Sequence, residues 1–518
     1  MTPVSQTILD LHHELIVDLF AGGGGMSTAI ERALGRSPDI AINHDDDALS
    51  MHRANHPQTR HFVADVWEVS PIGATRGRPV GLLHLSPDCT DFSQSKGGQP
   101  RRKRIRSLSW VACRWAGQVR PRILTLENVK QIQRWGPLIA KRDQCTGRVV
   151  KLDGTVAAPG ERVPVQEQFL VPDRRRAGRT WRQFIACLRG LGYAVEWQIL
   201  RAADYGAPTT RERLFLVARN DGRPITWPEP THFPRPAKGQ GAWRSAAECI
   251  DWSLPCRSIF ARPRPLAPAT LRRIATGIQR YVLDSDDPFI VPSPIGPVAR
   301  QGVSSAYMAQ MNGGFCTTPG HDVRRPMSTL THRGSQQQVV IAHLVHLRNH
   351  ATAHPLVEPL RTLTSGGGHH GVVTATIARS DSPSKNSRDQ TEDALRIVAL
   401  LMRYHGTGGQ WSDLRDPMTT VTTKHRLALV TVMVQGAPHV LVDIGLRMLT
   451  PRELYAAQGF PADYRIERGY DGRRFTQTAQ VRMVGNSVSP PPAIALIAAN
   501  AGDLAICPAP AKRRVGRF

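Results

Sequence analysis

The sequence predicts an α/β fold, a mostly parallel sheet covered by helices on both faces and interrupted by a β-rich insert. Three observations predict it. Apolar runs of strand length alternate with helical stretches over the first 228 residues. From about Pro228 proline and glycine become frequent, helical periodicity fades and a sequence unit repeats. After about Val442 helical signals return. A chain of 518 residues exceeds what one core organises, so several domains are expected. The expected division is 1–228, a β-rich insert at 229–441, a returning segment at 442–505 and a basic tail at 506–518.

The elements follow in order. Leu15–Phe20 is a strand and Ser27–Leu34 the helix after it. Ile40–Ile42, Gly81–Leu85 and Arg122–Leu126 are further strands, and Ala194–Leu200 with Leu214–Ala218 read as a closing pair. Residues 141–178 are polar, Arg- and Pro-rich, and predict a surface excursion. In the insert, Asp322–Thr331, Leu356–Thr364 and Leu414–Thr422 share a Pro-x-x-Thr-Leu/Val-Thr core. Each predicts a loop, a short extended segment and a strand, serving either as scaffold or as a reading surface. Thr450 before Pro451 and Glu453 predicts a capped helix start, and Pro490 opens another.

Composition narrows the class. Sixty-seven Lys and Arg against 42 Asp and Glu leave a net charge of +25, which favours a polyanionic partner, nucleic acid above all. A merely basic soluble surface is the alternative. No charged start followed by an apolar core marks a signal peptide, and no run reaches the length of a membrane span. The eight cysteines are scattered without a CxxC pair, which predicts reduced thiols, a cytoplasmic setting and no metal site.

Two segments carry chemistry. Ser86-Pro87-Asp88-Cys89 directly follows an apolar strand, which is how a fold presents a nucleophile at the rim of a sheet. Asp18-Leu19-Phe20-Ala21-Gly22-Gly23-Gly24-Gly25 is a strand, a glycine loop and a helix start, suited to close approach of a ligand. It lacks the Lys-Ser/Thr of a phosphate-gripping loop. Polar residues at the next strand ends, His44, Asp45 and Asp65, suit a ribose and an adenine ring, and together these features fit S-adenosylmethionine.

Six segments in this order resemble the motifs of the DNA (cytosine-5) methyltransferases, most closely the basic forms found in phages and prophages. They are Phe20–Gly24, the Cys89 turn, Thr125–Val129, Tyr205–Arg213, Arg452–Pro461 and Gly485–Val488. The resemblance covers roughly the first 230 residues and the last 70. It implies a Rossmann-like S-adenosylmethionine-dependent methyltransferase sheet, with the β-rich insert as target-recognition domain. It implies Cys89 as nucleophile toward cytosine C6, Glu127 as proton partner of N3, and Arg211 and Arg213 as the pair that orients the base. It also implies Asp18, Phe20, Gly22, Gly24, His44, Asp45, Asp65, Asn486 and Val488 around the cofactor. Lys96, Arg101, Arg102, Lys103 and Arg104 would form a cationic loop closing over duplex DNA. A monomer acting in the cytoplasm, with or without a restriction endonuclease for the same site, is the expected setting.

Four departures stand out. Asp88 separates Pro87 from Cys89 and is expected to raise the thiol pKa. Asn43 stands where a ribose-binding glutamate is usual, Thr209 replaces a glutamine, and Ala456 an arginine. Two rivals stay open: methylation of tRNA, and a DNA-binding protein with a decayed site.

Overall fold

The structure, a computed structural model, describes residues 13–92, 99–291, 302–310, 320–330, 337–346, 431–434 and 437–506. The chain divides into two compact units, one of residues 1–244, 326–332 and 454–518, the other of 245–325 and 333–453.

The first unit is built on a seven-stranded sheet. Its strands are β1 (Leu15–Leu19), β2 (Ile40–Asn43), β3 (Arg60–Val63), β4 (Val80–Leu85), β5 (Ile123–Asn128), β6 (Ala194–Arg201) and β7 (Glu212–Arg219), in the order β3-β2-β1-β4-β5-β7-β6. The first five run parallel. β7 enters antiparallel to β5 and forms a hairpin with β6, so the expected closing pair is a true pair. Helices α1 (Gly25–Leu34), α2 (Asp46–Asn55), α3 (Pro71–Thr75), α4 (Val111–Val119) and α5 (Arg179–Gly190) connect these strands.

Alternation of side chains along each strand feeds two cores. Leu15, Val17, Leu19, Leu124 and Leu126 meet Trp115, Trp181 and Phe184 of α4 and α5. On the other face, Ile16 and Ile123 meet Met26, Ile30 and Leu34 of α1 with Leu496, Ile497 and Ala501 of the helix Pro490–Ala501. At about 25 cal/mol per Å² of apolar surface, two such cores dominate the stability of the unit. The C-terminal segment thus completes the first unit, because its helix is apolar nearly all round and covers α1.

The polar excursion is regular rather than loose. Leu138–Ala140 pairs antiparallel with Leu170–Pro172, and bridges Arg142–Val149, Val150–Val156 and Lys151–Gln168 build a small β-module between them. Its turns close on side chains: Asp143 accepts from the Thr146 backbone and hydroxyl, and Asp153 from those of Thr155.

The second unit is antiparallel β, as expected of the insert. Strands β8 (Gly302–Gln310), β9 (Gly320–His321), β10 (Gln337–His346), β11 (Thr431–Val434) and β12 (Ala437–Met448) form the sheet, with Arg257–Ser258 on its edge. Helix α6 (Pro268–Ile278) packs Ile274 and Ile278 against Tyr307, Val340 and Ile444. The boundary expected at 441/442 falls inside β12, which pairs with β10 and belongs to this unit. Residues beyond 228 also stay with the first unit, where Trp243 donates to Asp204. Thr450 and Glu453 form the predicted cap by reciprocal bonds. The second and third sequence repeats lie outside the described residues.

Candidate active site

Cys89 sits on the turn after β4, half-buried at the carboxyl end of the parallel strands. The turn is fastened from three sides. Ser86 donates its backbone N–H to Leu19 and its hydroxyl to Phe20, Asn128 donates its amide to the Pro87 carbonyl at 2.9 Å, and Phe92 donates back to Cys89. Burial raises the Cys89 thiol pKa most. Arg213 opposes that, Glu127 adds to it, Arg211 opposes it, and Asp88 adds least. Asp88 raises the thiol as expected but is not its main regulator. Its carboxylate turns to Thr90, accepting the backbone N–H at 2.7 Å and the hydroxyl at 3.0 Å.

Glu127 lies near the end of β5 and is buried, and that burial raises its carboxyl pKa against the pull of Arg213 and Arg211. Arg213 Nε is 3.1 Å from Glu127 Oε1, yet Oε1 has no hydrogen bond, so the pair is ionic contact without an aligned N–H. Arg211 is 3% exposed and turns elsewhere. Its guanidinium donates to the carbonyls of Leu330, Gly485 and Ser487 at 3.0, 3.1 and 2.8 Å, and burial lowers its pKa to about 9. Arg211, expected with Arg213 to orient the base, has its guanidinium engaged by backbone carbonyls. It is a hub that joins two backbone segments through three carbonyls, while Arg213 faces Glu127.

The cationic loop is more engaged than a solvated charge run. Lys96 lies outside the described residues. Arg101 donates to the Thr90 carbonyl and its backbone to Leu170 of the β-module. Arg102 gives its backbone N–H to Asp91 at 2.8 Å, with its guanidinium 3.6 Å from the same carboxylate. Arg106, missed from the sequence, stacks on Phe92 and donates to the Asp91 carbonyl and to Gly136. Arg104 pairs with Asp65 at 2.8 Å. Lys103 is exposed and has no such partner among the described residues.

At the glycine loop, Phe20 takes a positive φ of 61° and Gly24 one of 91°. Gly24 is enclosed, since a Cβ there would collide with the Tyr464 hydroxyl, and one on Gly25 with Ser487 and Val488. Gly22 by contrast has nothing near it but the Phe20 carbonyl. Asp18 is wholly buried: Ser27 donates to one oxygen at 2.7 Å and the other has no partner. Val488 is buried in the core while Asn486 is exposed. Asp18, Gly24 and Val488 lie beneath and behind the loop and support it. His44 is exposed at the end of β2. Asp45 caps α2 at Ala48 and pairs with Arg482 at 2.9 Å. Asp65 is held by the Trp67 N–H and Arg104, which lower its pKa. Asn43 accepts from the Asp45 backbone and serves the turn. Each bonded carboxylate oxygen keeps a second lone pair for a ligand hydroxyl or amine. Open space at Gly22, half-buried Phe20 and oriented acids at successive strand ends suit an adenosyl group.

Thr209 also acquires a reason. It is fully buried and bridges Met327, and the Thr210 N–H bonds the same residue's carbonyl at 2.7 Å. The first sequence repeat therefore supplies a strap, Pro326–Leu330, to the first unit, and Leu330 ends it on Arg211. The shared Pro-x-x-Thr core was the signal, but nothing in it tells which copy is seated.

The sequence matches the C-5 cytosine-specific DNA methylase family over residues 15–135, 170–247 and 368–501. The chain is 24% identical over 498 residues to the Type II methyltransferase M.AgeI of Thalassovita gelatinovora, covering 92% of this chain and 96% of that one. It is 26% identical over 226 residues to the Type II methyltransferase M.AquIA of Picosynechococcus sp., 42% of this chain and 77% of the relative. With the Type II methyltransferase M.NaeI of Lentzea aerocolonigenes it shares 30% identity over 218 residues, 42% of this chain and 43% of the relative.

Proposed function

The chain belongs to the C-5 cytosine-specific DNA methylase family, and on that premise we propose how its own residues carry methyl transfer from S-adenosylmethionine to cytosine C5 in DNA. The single observation that carries the assignment is the meeting of Cys89, Glu127, Arg213 and Arg211 in one electrostatic group at the ends of β4, β5 and β7.

Cys89 adds as thiolate to C6 of an extruded cytosine, and its electron pair makes C5 nucleophilic. Glu127, whose carboxyl pKa burial raises, gives a proton to N3 so that the ring carries no full negative charge. The cofactor supplies an electrophilic methyl group on a sulfonium. C5 takes that methyl, the C5 proton leaves to water, and expulsion of Cys89 from C6 restores the ring while N3 returns its proton to Glu127. Arg213 lowers the thiol pKa and turns toward the base oxygen when Glu127 releases it. Arg211 fixes the Gly485–Ser487 backbone behind the cofactor and the strap beside Thr209. Phe20, Gly22, His44, Asp45, Asp65 and Asn486 surround the adenosyl group. Arg101 to Arg104 lie along the DNA backbone.

The setting proposed is cytoplasmic, with the enzyme monomeric and marking one sequence for protection from an endonuclease of the same specificity. The names of the relatives above, Type II methyltransferases, support that role. Bisulfite sequencing of DNA from cells expressing the protein tests the whole reading. Converted cytosine throughout, with no protected position in a defined context, contradicts it.

A further inference from the structure

A second polar construction lies under the glycine loop, away from the reacting base. Asp18 of β1, Ser27 of α1, His52 of α2 and His61 of β3 are joined end to end by hydrogen bonds of 2.7, 2.8 and 2.8 Å. Asp18, Ser27 and His52 are fully buried, whereas His61 is half-buried and reaches the surface. We propose that this chain is a proton exit from the base of the cofactor loop, through which the charge on Asp18, and with it the preference for the cationic methyl donor over its neutral product, follows solution pH.

The chain has two complete directions. With Asp18 neutral, its O–H donates to Ser27, Ser27 to His52 Nε2, and His52 Nδ1–H to His61 Nε2. His61 Nδ1–H then remains for the Thr59 backbone. With Asp18 ionised, every bond reverses: Ser27 donates to Asp18, His52 Nε2–H to Ser27, and His61 Nε2–H to His52 Nδ1. The second state holds one proton fewer, and that proton leaves from His61 Nδ1 to solvent. The three links from Asp18 to His61 stay paired in both states, and only the Thr59 carbonyl gives up a donor, at the half-buried end of the chain where water can replace it.

The neighbours keep the proton moving. Burial most of all, then Arg53 of α2 and His56 at its C-terminal cap, disfavours charge on His61, and burial disfavours an imidazolium at His52. Glu31 of α1 is occupied by His56 at 2.8 Å, with Arg32 near it, and Tyr464 senses Asp18 from its seat on Gly23. Asp18 itself is pushed up by burial to about 7, and its second oxygen has no partner. An ionised carboxylate beneath the loop attracts a sulfonium and is indifferent to the thioether left after transfer. Asp18 is thus a positioning residue that acts through its field.

The test is calorimetric, on the full chain without DNA. Dissociation constants of S-adenosylmethionine and S-adenosylhomocysteine are measured between pH 6 and 8, so that effects common to both ligands cancel in their ratio. The preference for the donor is expected to rise on the order of fivefold with pH, to be flat in Asp18→Asn, and to have its midpoint moved upward in His52→Phe. Thermal unfolding checks that the variants are folded. Should Asp18→Asn fail to fold, the native chain and His52→Phe decide. A ratio independent of pH in the native chain, an unchanged profile in Asp18→Asn, or an unmoved midpoint in His52→Phe overturns the proposal.

Discussion

Arg213 approaches Glu127 to 3.1 Å without completing a hydrogen bond, and the buried carboxylate oxygen is left unpartnered. An orphaned buried acceptor costs about 1–3 kcal/mol, and a site that keeps one holds a position ready for a ligand donor. Protonation meets that need by turning the orphaned acceptor into a donor to N3 of the base, which frees Arg213 at the moment charge shifts. Glu127→Gln is therefore expected to lower the single-turnover methylation rate by about 10²–10⁴ while leaving the affinity for S-adenosylmethionine unchanged.

Asp88 has less influence on the nucleophile than its position suggests, because Thr90 occupies its carboxylate. The pH profile of Cys89 alkylation should shift downward slightly in Asp88→Ala and upward by more in Arg213→Ala. A larger shift from Asp88→Ala than from Arg213→Ala contradicts the order of causes.

Arg211 binds three carbonyls from two separate segments of the first unit. Its replacement by Ala leaves those acceptors buried and is expected to cost about 3–5 kcal/mol of stability, read from denaturant unfolding. Arg211→Lys recovers only part, since one ammonium cannot reproduce the fork.

Asp18 binds more protons folded than unfolded, its carboxyl moving from 3.8 to about 7. Its contribution to stability is full below pH 3.8 and is lost as pH rises through about 7. The loss amounts to as much as ~4 kcal/mol, and Asp18→Asn should flatten the stability profile over that window.

The sequence made the sheet legible where strands are buried on both faces, as in Leu15–Leu19 and Ile123–Asn128, because burial forces continuous apolar runs. β3 was legible only through Asp65 just past its end, since Arg60–Val63 lies at the sheet edge, half-exposed and without such a run. The β-module at 138–172 was read only as an excursion because its turns depend on Asp143 and Asp153 side chains rather than on an apolar pattern. Cys89, Glu127 and Arg213 were legible from motif order. The inward role of Arg211 was not, because the carbonyls it collects lie more than a hundred residues away. Ser27, His52 and His61 carry no local signature and meet only through the parallel stacking of β1, β2 and β3.

The most direct measurement is covalent trapping on duplex DNA carrying 5-fluorocytosine at the methylated position, with S-adenosylmethionine present. After methyl addition a C5 fluorine cannot leave as a proton does, so Cys89 stays bonded to C6. A denaturant-resistant complex is predicted for the native chain, mapped to Cys89 by peptide mass and absent from Cys89→Ser. No complex from protein that binds both DNA and cofactor, or an equal complex from Cys89→Ser, contradicts the assignment of Cys89 as nucleophile.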